Sequence, residues 1–496
     1  MLSKMTFKPS PQQQALFNWI LTGKGSCVLE AVAGSGKTTT LIEALKLMEG
    51  TIFFGAYNKL IAEEIKTRAG NKEGLNASTF HAAGLNAWKK IARTCKIDAN
   101  KCRTIYRNSY ADPEFFKLET PVLNLVSYAK QAAVGAVCSA ADDSVWYNLI
   151  NHFNIDCMNR DEEVVDIAKK ILGLSVAEDT KIIDFDDMIY CPLVHKVKAT
   201  EYDWVLIDEA QDTNASRRAL ALLMLKRGGR LIAVGDRKQM IYGFTGCDSD
   251  SMDQIKESVN AIELPLTVTY RCPKAVVKEA QKYVSHITAH ESAPEGTVTT
   301  LVGDITKSAK PGDAILCRFN APLIEMVYAF IAEGIPAKVE GREIGSSMKT
   351  LLRRYKSKTF SVLIDRLNDY SDRESAKLRI KERESQAVAI EDKVKCIKVI
   401  IARVEKLDPK TSDPVTRTCD EIDAIFSDNI DGKCVILSTI HKSKGKEWTN
   451  VYWLQSGPSK WARMDWEKET EINLCYVAVT RAKENLILVP MPKKEA

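Results

Sequence analysis

The sequence predicts an α/β fold of two parallel sheets, each interrupted by a mainly helical insertion. Three observations carry this. Short apolar runs recur at Ser26–Leu29, Ile52–Phe54, Val205–Ile207 and Leu231–Val234, and again at Ala314–Cys317, Val435–Leu437, Val451–Leu454 and Leu486–Val489. Helical stretches separate them, the pattern of strands buried on both faces of a parallel sheet. Two long segments, residues 90–180 and 346–430, lack such runs and read as helical.

In chain order, the first run enters "AVAGSGKTTTLIEAL", a glycine-bearing turn followed by a helix. In the first insertion, residues 120–137 and 161–174 have helical character. A strand over Val205–Ile207 then runs into acidic residues, and Leu231–Val234 completes the early set. In the second insertion Ile390, Val394, Ile397, Ile401 and Val404 alternate steps of four and three. That spacing makes one apolar stripe, expected to pack on its own domain, and Asp408-Pro409 should end the helix. The expected layout is a first domain of residues 1–89 and 181–265 around insertion 90–180. A second domain of 266–345 and 431–496 surrounds insertion 346–430. No internal repeat or low-complexity linker is evident.

The 496 residues suit two to four domains, and a formal charge of +5 permits a polyanionic partner without requiring one. Thirteen scattered cysteines without a C-x-x-C pair argue against a disulfide framework or zinc site and for free thiols in a reducing compartment. His286 and His290 stand at i, i+4 but have no further ligand nearby in sequence. No run approaches the roughly 18 apolar residues of a membrane span, so a soluble, intracellular protein is expected.

The glycines at 34 and 36 let backbone N–H groups surround phosphate, and the following helix N-terminus favours anions. Ala33, Gly34, Ser35, Gly36, Lys37, Thr38 and Thr39 are therefore candidate triphosphate-binding residues. Lys37 would neutralise the β and γ phosphates and Thr38 would ligate Mg²⁺. Ala31 stands where the strict pattern has glycine. In "EYDWVLIDEAQDTN", residues 201–214, a strand ends in Asp208-Glu209. A carboxylate there can hold Mg²⁺, and its neighbour can polarise an attacking water. Asp208 takes the first role and Glu209 the second, with ATP and Mg²⁺ as the expected cofactors.

Around these stretches lies a longer ordered series. "PQQQAL" with Gln12, "AYNKLIAEEI", "TFHAAG", "DFDDM", "DEAQD", "VGDRKQMIYGF", "TYRCP", "STIHKSKGKEW" and "LCYVAVTRAKENL" follow one another through the chain. In that order they resemble the motifs of a superfamily 1 DNA helicase of the UvrD/Rep/PcrA type. Neither insertion carries such a motif. The resemblance implies two RecA-like P-loop NTPase domains and an ATP-dependent enzyme that moves along single-stranded DNA, 3′→5′, and unwinds duplex. It implies that Gln12 reads adenine, Tyr270 stacks on it, Gln239 senses the γ-phosphate, and Glu447 contacts the ribose or couples the domains. Arg271 and Arg481 would act as arginine fingers from the second domain. A guanidinium suits that task because it neutralises charge without titrating.

By the same resemblance Tyr57, Asn58, Thr79, Phe80, His81, Tyr242, Phe244, Thr439 and His441 would grip the strand, with Lys442, Lys444 and Lys446 near phosphate. Base stacking and phosphate contact are what such a grip needs. The chain departs from the pattern at Ala56, where an aromatic is usual, at Thr245, where arginine is common, and at Trp448, where phenylalanine is common. Expected partners are single-stranded DNA and single-strand/duplex junctions, bound by a monomer that follows DNA in the cytoplasm, nucleoid, nucleus or a virus-infected cell. Three other readings stand beside this one: a translocase that displaces proteins with little unwinding, a P-loop kinase on a small molecule, and an inactive binding module.

Overall fold

The computed structural model describes residues 8–153, 155–177, 181–241, 250–380, 383–427, 433–458 and 465–490. The chain divides into two units, Met1–Thr267 and Val268–Ala496.

The first unit runs α1 (Pro11–Thr22), β1 (Cys27–Ala31), α2 (Lys37–Leu45), β2 (Ile52–Ala56), α3 (Lys59–Ala69), β3 (Leu75–Thr79) and α4 (Phe80–Trp88). The insertion follows as α5 (Lys101–Ser109), α6 (Glu119–Gln131), α7 (Asp143–His152) and α8 (Asp161–Ser175). The chain then returns through α9 (Asp187–Val194), β4 (Tyr202–Ile207), α10 (Ala215–Leu223), β5 (Leu225–Gly235), α11 (Ser251–Ser258) and β6 (Ile262–Leu266). The six strands lie in the order β3-β2-β4-β5-β1-β6, every pair parallel. Cys27, Leu29, Ile52, Phe54, Leu206, Ile232 and Val234 fill the core on one face. Val28, Phe53, Val205, Ile207, Leu231 and Ala233 fill the core on the other. This alternation is the two-residue period of strands covered on both sides.

The first insertion has a core of its own, built from Tyr106, Leu125, Trp146, Ile150, Val164 and Ile171 among others. The "DFDDM" stretch ties it down. Asp187, with no exposed surface, accepts Lys101 at 2.6 Å and forms an ion pair with Lys130 at 2.7 Å, and Asp184 accepts Lys130 at 2.6 Å. Removing either partner of such a buried pair strands a charge. The helix expected over 120–137 stops at Gln131, because Ala133 (φ 56°) and Gly135 (φ 89°) turn the chain left-handed.

The second unit contains α12 (Lys274–Ala280), β7 (Thr297–Thr300), β8 (Ala314–Cys317), α13 (Asn320–Ala332) and β9 (Ala337–Glu340). Next come α14 (Arg342–Leu352), α15 (Phe360–Ile380), α16 (Glu384–Leu407), α17 (Pro414–Ile425) and β10 (Phe426–Ser427). It closes with β11 (Val435–Thr439), α18 (Ile440–Ser443), β12 (Trp448–Leu454), α19 (Asp465–Val479) and β13 (Ala482–Val489). Its seven strands are again all parallel, in the order β7-β13-β12-β8-β11-β9-β10.

The second insertion differs from the first. The stripe on α16 is present, with Val394, Ile397, Ile401 and Val404 buried, and the helix ends at Leu407 as its Asp-Pro predicts. Those side chains share one core with Ile315, Leu323, Val327 and Leu437 of the sheet layer. Asp392 on α16 also caps α13, accepting the Asn320 and Ala321 backbone N–H groups at 3.0 Å each. Among the described residues, the segment 346–430 thus packs as a layer of the second sheet's fold, in the same core.

Ile397→Ala should therefore cost about 2–5 kcal/mol and loosen sheet and insertion together. Amide exchange should speed up in β8 as well as in α16. Faster exchange confined to α16 would show that the two layers unfold apart.

Candidate functional site

Parallel strands deliver all their C-terminal ends to one edge, where α/β folds bind ligands. In the first unit that edge collects the turns after Ala31, Ala56, Thr79, Ile207, Gly235 and Leu266.

The turn after β1 is the phosphate-loop candidate. Gly34 (φ 70°) and Gly36 (φ 77°) are left-handed, and Gly36 precedes the first turn of α2. A side chain at either position would be strained. Ser35 Oγ is buried with no hydrogen-bond partner among the described residues, in a loop where a phosphate oxygen would provide one. Thr38 stands in the first turn of α2, and the Thr39 hydroxyl accepts Arg68 at 2.8 Å.

Lys37 lies 3.5 Å from Glu209 Oε2. Burial alone would lower its pKa, but Glu209, Asp236 and Asp208 outweigh this and hold the ammonium raised. Asp208 is pushed up to about 7, by burial first and the Glu209 charge second, with Lys37 opposing. Burial also raises Asp236, against Lys37 and a 2.7 Å bond from Gln239 Nε2. Three carboxylates on the ends of β4 and β5 thus surround one ammonium. A buried carboxylate beside a like charge suits a cation, and Thr38 and Asp208 are the hydroxyl and carboxylate candidates for one. Among the described residues no group of three or more His, Cys, Asp or Glu is placed as a metal site, and His286 with His290 gains no further ligand.

Gln12 exchanges two hydrogen bonds with Thr267, at 2.9 and 2.8 Å. Gln13 closes the α1 capping box with Ser10 and reaches Thr40 at 2.9 Å, so the start of α1 is fastened to α2.

The strand-grip candidates fall on the same edge. Tyr57, Thr79, Phe80 and His81 line one cleft with Asp208, Glu209, Asp212 and Arg217. Its free volume of about 20 Å³ is room for a single water, so side chains rather than a nucleotide occupy the space between the two groups. The Tyr57 ring is 50% exposed, and Asn58 caps α3 through Ile61 N. Thr79 caps α4. Phe80 is a correction. It is 6% exposed, lies edge-on to Phe53 at 5.5 Å, and fills the space above Gly55, where a Cβ would come within 2.6 Å of the ring. Phe80 is a core residue rather than a stacking surface. His81 is held neutral, its pKa lowered to about 4 by burial and the Arg217 charge. Tyr242, Phe244 and Thr245 lie outside the described residues.

In the second unit the candidates separate. Thr439 ends β11 and caps α18, and His441 follows, lowered to about 3 by burial with Arg318 and Lys444 nearby. Glu447 and Arg481 instead immediately precede β12 and β13. Arg271 Nε donates to Glu447 at 2.5 Å, and Arg271 Nη1 to the Thr480 carbonyl at 3.4 Å. Arg481 is 1% exposed and donates to Val477 O, Lys446 O and Thr480 Oγ1 at 2.9, 3.1 and 3.1 Å. The Tyr270 ring, 44% exposed, leans on His290 at 4.9 Å. Lys442 and Lys446 pair with Glu343 and Glu340.

One feature escaped the sequence reading. Ser78-Thr79-Phe80-His81 and Ser438-Thr439-Ile440-His441 repeat the same pattern, each running from the end of a strand into a helix. In both, the threonine caps a helix, the apolar residue is buried and the histidine stays neutral. Gln211 and Asp236 also acquire positions that their motifs alone did not give them.

Residues 10–260 match the model of the UvrD/REP helicase N-terminal domain, and residues 342–491 that of the UvrD-like helicase C-terminal domain. The F-box DNA helicase protein 1 of Schizosaccharomyces pombe is 23% identical over 93% of this chain and 55% of its own length. ATP-dependent DNA helicase Rep of Escherichia coli is 25% identical over 56% of this chain and 43% of its own. ATP-dependent DNA helicase PcrA of Staphylococcus epidermidis is 23% identical over 65% and 50%. The chain spans about half the length of these relatives.

Phe80→Ala should lower stability by about 3–5 kcal/mol, measured by denaturant unfolding. Loss of strand affinity with an unchanged unfolding midpoint would return Phe80 to the interface.

Proposed function

The chain belongs to the UvrD/REP helicase family, and on that premise we propose that it is an ATP-dependent motor that moves along single-stranded DNA and unwinds duplex. The observation that carries this reading is the shared cleft of the first unit. Asp208 and Glu209, the candidates for hydrolysis, line it together with Tyr57, Thr79 and His81, the candidates for gripping the strand. A strand that moves these side chains alters the surroundings of Glu209, so occupancy by DNA and hydrolysis of ATP become linked quantities.

In this reading Gly34, Ser35, Gly36 and Lys37 cradle the triphosphate, and Glu209 orients and deprotonates the attacking water. Thr38 and Asp208 would hold Mg²⁺, which neutralises phosphate charge when bound. Gln239, held beside Asp236, reports the γ-phosphate. Arg271 and Arg481 supply the positive charge that phosphoryl transfer requires. Movement 3′→5′, action at single-strand/duplex junctions and work as a monomer follow from the resemblance. A protein-displacing translocase with little unwinding shares every one of these parts. Duplex unwinding measured beside displacement of a bound protein separates the two.

Steady-state ATPase with and without single-stranded DNA, then with RNA, is the test. Turnover indifferent to nucleic acid would favour a small-molecule kinase. Lys37→Ala should abolish ATP turnover and unwinding together, and near-normal turnover would remove the phosphate-loop assignment. Tyr57→Ala should weaken single-strand binding by about 1–3 kcal/mol without changing the unfolding midpoint. An equal loss of stability would make Tyr57 a packing residue.

A further inference from the structure

The geometry points to Gln211 as the residue that positions the Glu209 carboxylate for hydrolysis, an inference that rests on the nucleotide-site reading above. Gln211 is 2% exposed, and both ends of its amide are engaged. Its Nε2 donates to Glu209 Oε2 at 2.5 Å, and its Oε1 accepts the Asp236 backbone N–H at 3.1 Å. The partners fix the orientation of the amide: a backbone N–H can only donate and a carboxylate can only accept. One side chain therefore joins the end of β4 to the end of β5.

Two further features make this bridge specific. Glu209 has φ 51°, a left-handed conformation that a residue with a side chain keeps only when its surroundings hold it. The Glu209 carbonyl accepts Asp212 N at 2.9 Å, and Gln211 holds its carboxylate. Then Gly235 leaves the room that the amide needs. A Cβ there would lie 2.4 Å from Gln211 Oε1 and 3.1 Å from Gln211 N. Beyond Asp236 the chain of contacts continues, since its Oδ2 accepts Gln239 Nε2 at 2.7 Å. The proposed base and the proposed γ-phosphate sensor are thus connected through Gln211 and Asp236. Gln211 touches no reacting atom in this scheme and acts through Glu209.

The test compares Gln211→Glu, Gln211→Leu and Gly235→Ala with wild type in DNA-stimulated ATPase, nucleotide binding and thermal unfolding. Read beside the neutral Gln211→Leu, which adds no charge, Gln211→Glu keeps an acceptor for Asp236 N and replaces the donor to Glu209 with a second carboxyl. It should lower kcat by about 10²-fold, with KM and nucleotide affinity within about threefold of wild type. Gln211→Leu should do the same, and Gly235→Ala should reproduce part of the loss. In a Glu209→Gln background, Gln211→Leu should leave the residual single-turnover rate unchanged, because its effect passes through the missing carboxylate. Wild-type kcat in a folded Gln211→Leu protein overturns the inference, as does a full further loss in the Glu209→Gln background. If wild type itself turned over no ATP, the nucleotide-site reading would fall instead.

Discussion

One ammonium among three carboxylates is the constraint on which the first unit is organised. Lys37 faces Asp208, Glu209 and Asp236, which belong to the ends of two neighbouring strands, and it belongs to the helix after a third. Concentrating so much negative charge out of water is unfavourable. A carboxyl raised on folding, as Asp208 is to about 7, binds its proton more tightly in the folded state. It therefore removes stability as pH rises from the ordinary carboxylate range towards 7. The fold limits that cost with Lys37 and with amide donors from Gln211 and Gln239. A bound cation would reduce it further.

How much of this was legible follows from burial. All eight apolar runs are strands, because strands covered on both faces must be apolar throughout. The strands that escaped, β3, β6, β7, β9 and β10, carry polar residues or a proline, as in Leu264-Pro265-Leu266 and Thr297-Val298-Thr299-Thr300. β3, β6 and β7 lie at sheet edges, where one side of the ladder is open. The stripe on α16 could be read from its period. What lay opposite it could not, because periodicity defines a face and says nothing about the partner.

The site was legible in kind more than in orientation. The strand-end positions of the glycine-bearing turn and of the Asp-Glu pair were readable from the apolar runs that lead into them. Phe80 was not, since a ring next to a strand end can point into the core or out of it, and the missing side chain of Gly55 decides the matter. The repeated Ser-Thr-apolar-His pattern makes sense only once both copies are seen at strand ends with the threonine as a cap. Its buried third residue anchors the turn in each case, which leaves the threonine backbone and the neutral imidazole as the groups presented there.

The shared core of the second unit sets a rule for protein engineering. Residues 346–430 contribute one wall of a hydrophobic layer whose other wall is Ile315, Leu323, Val327 and Leu437. Exchanging that segment for the corresponding one of a relative would transplant half of a packing interface without its complement. A chimera drawn at those boundaries needs matching changes on α13 and β8, whereas one drawn around the first insertion must keep lysines at 101 and 130 for Asp184 and Asp187.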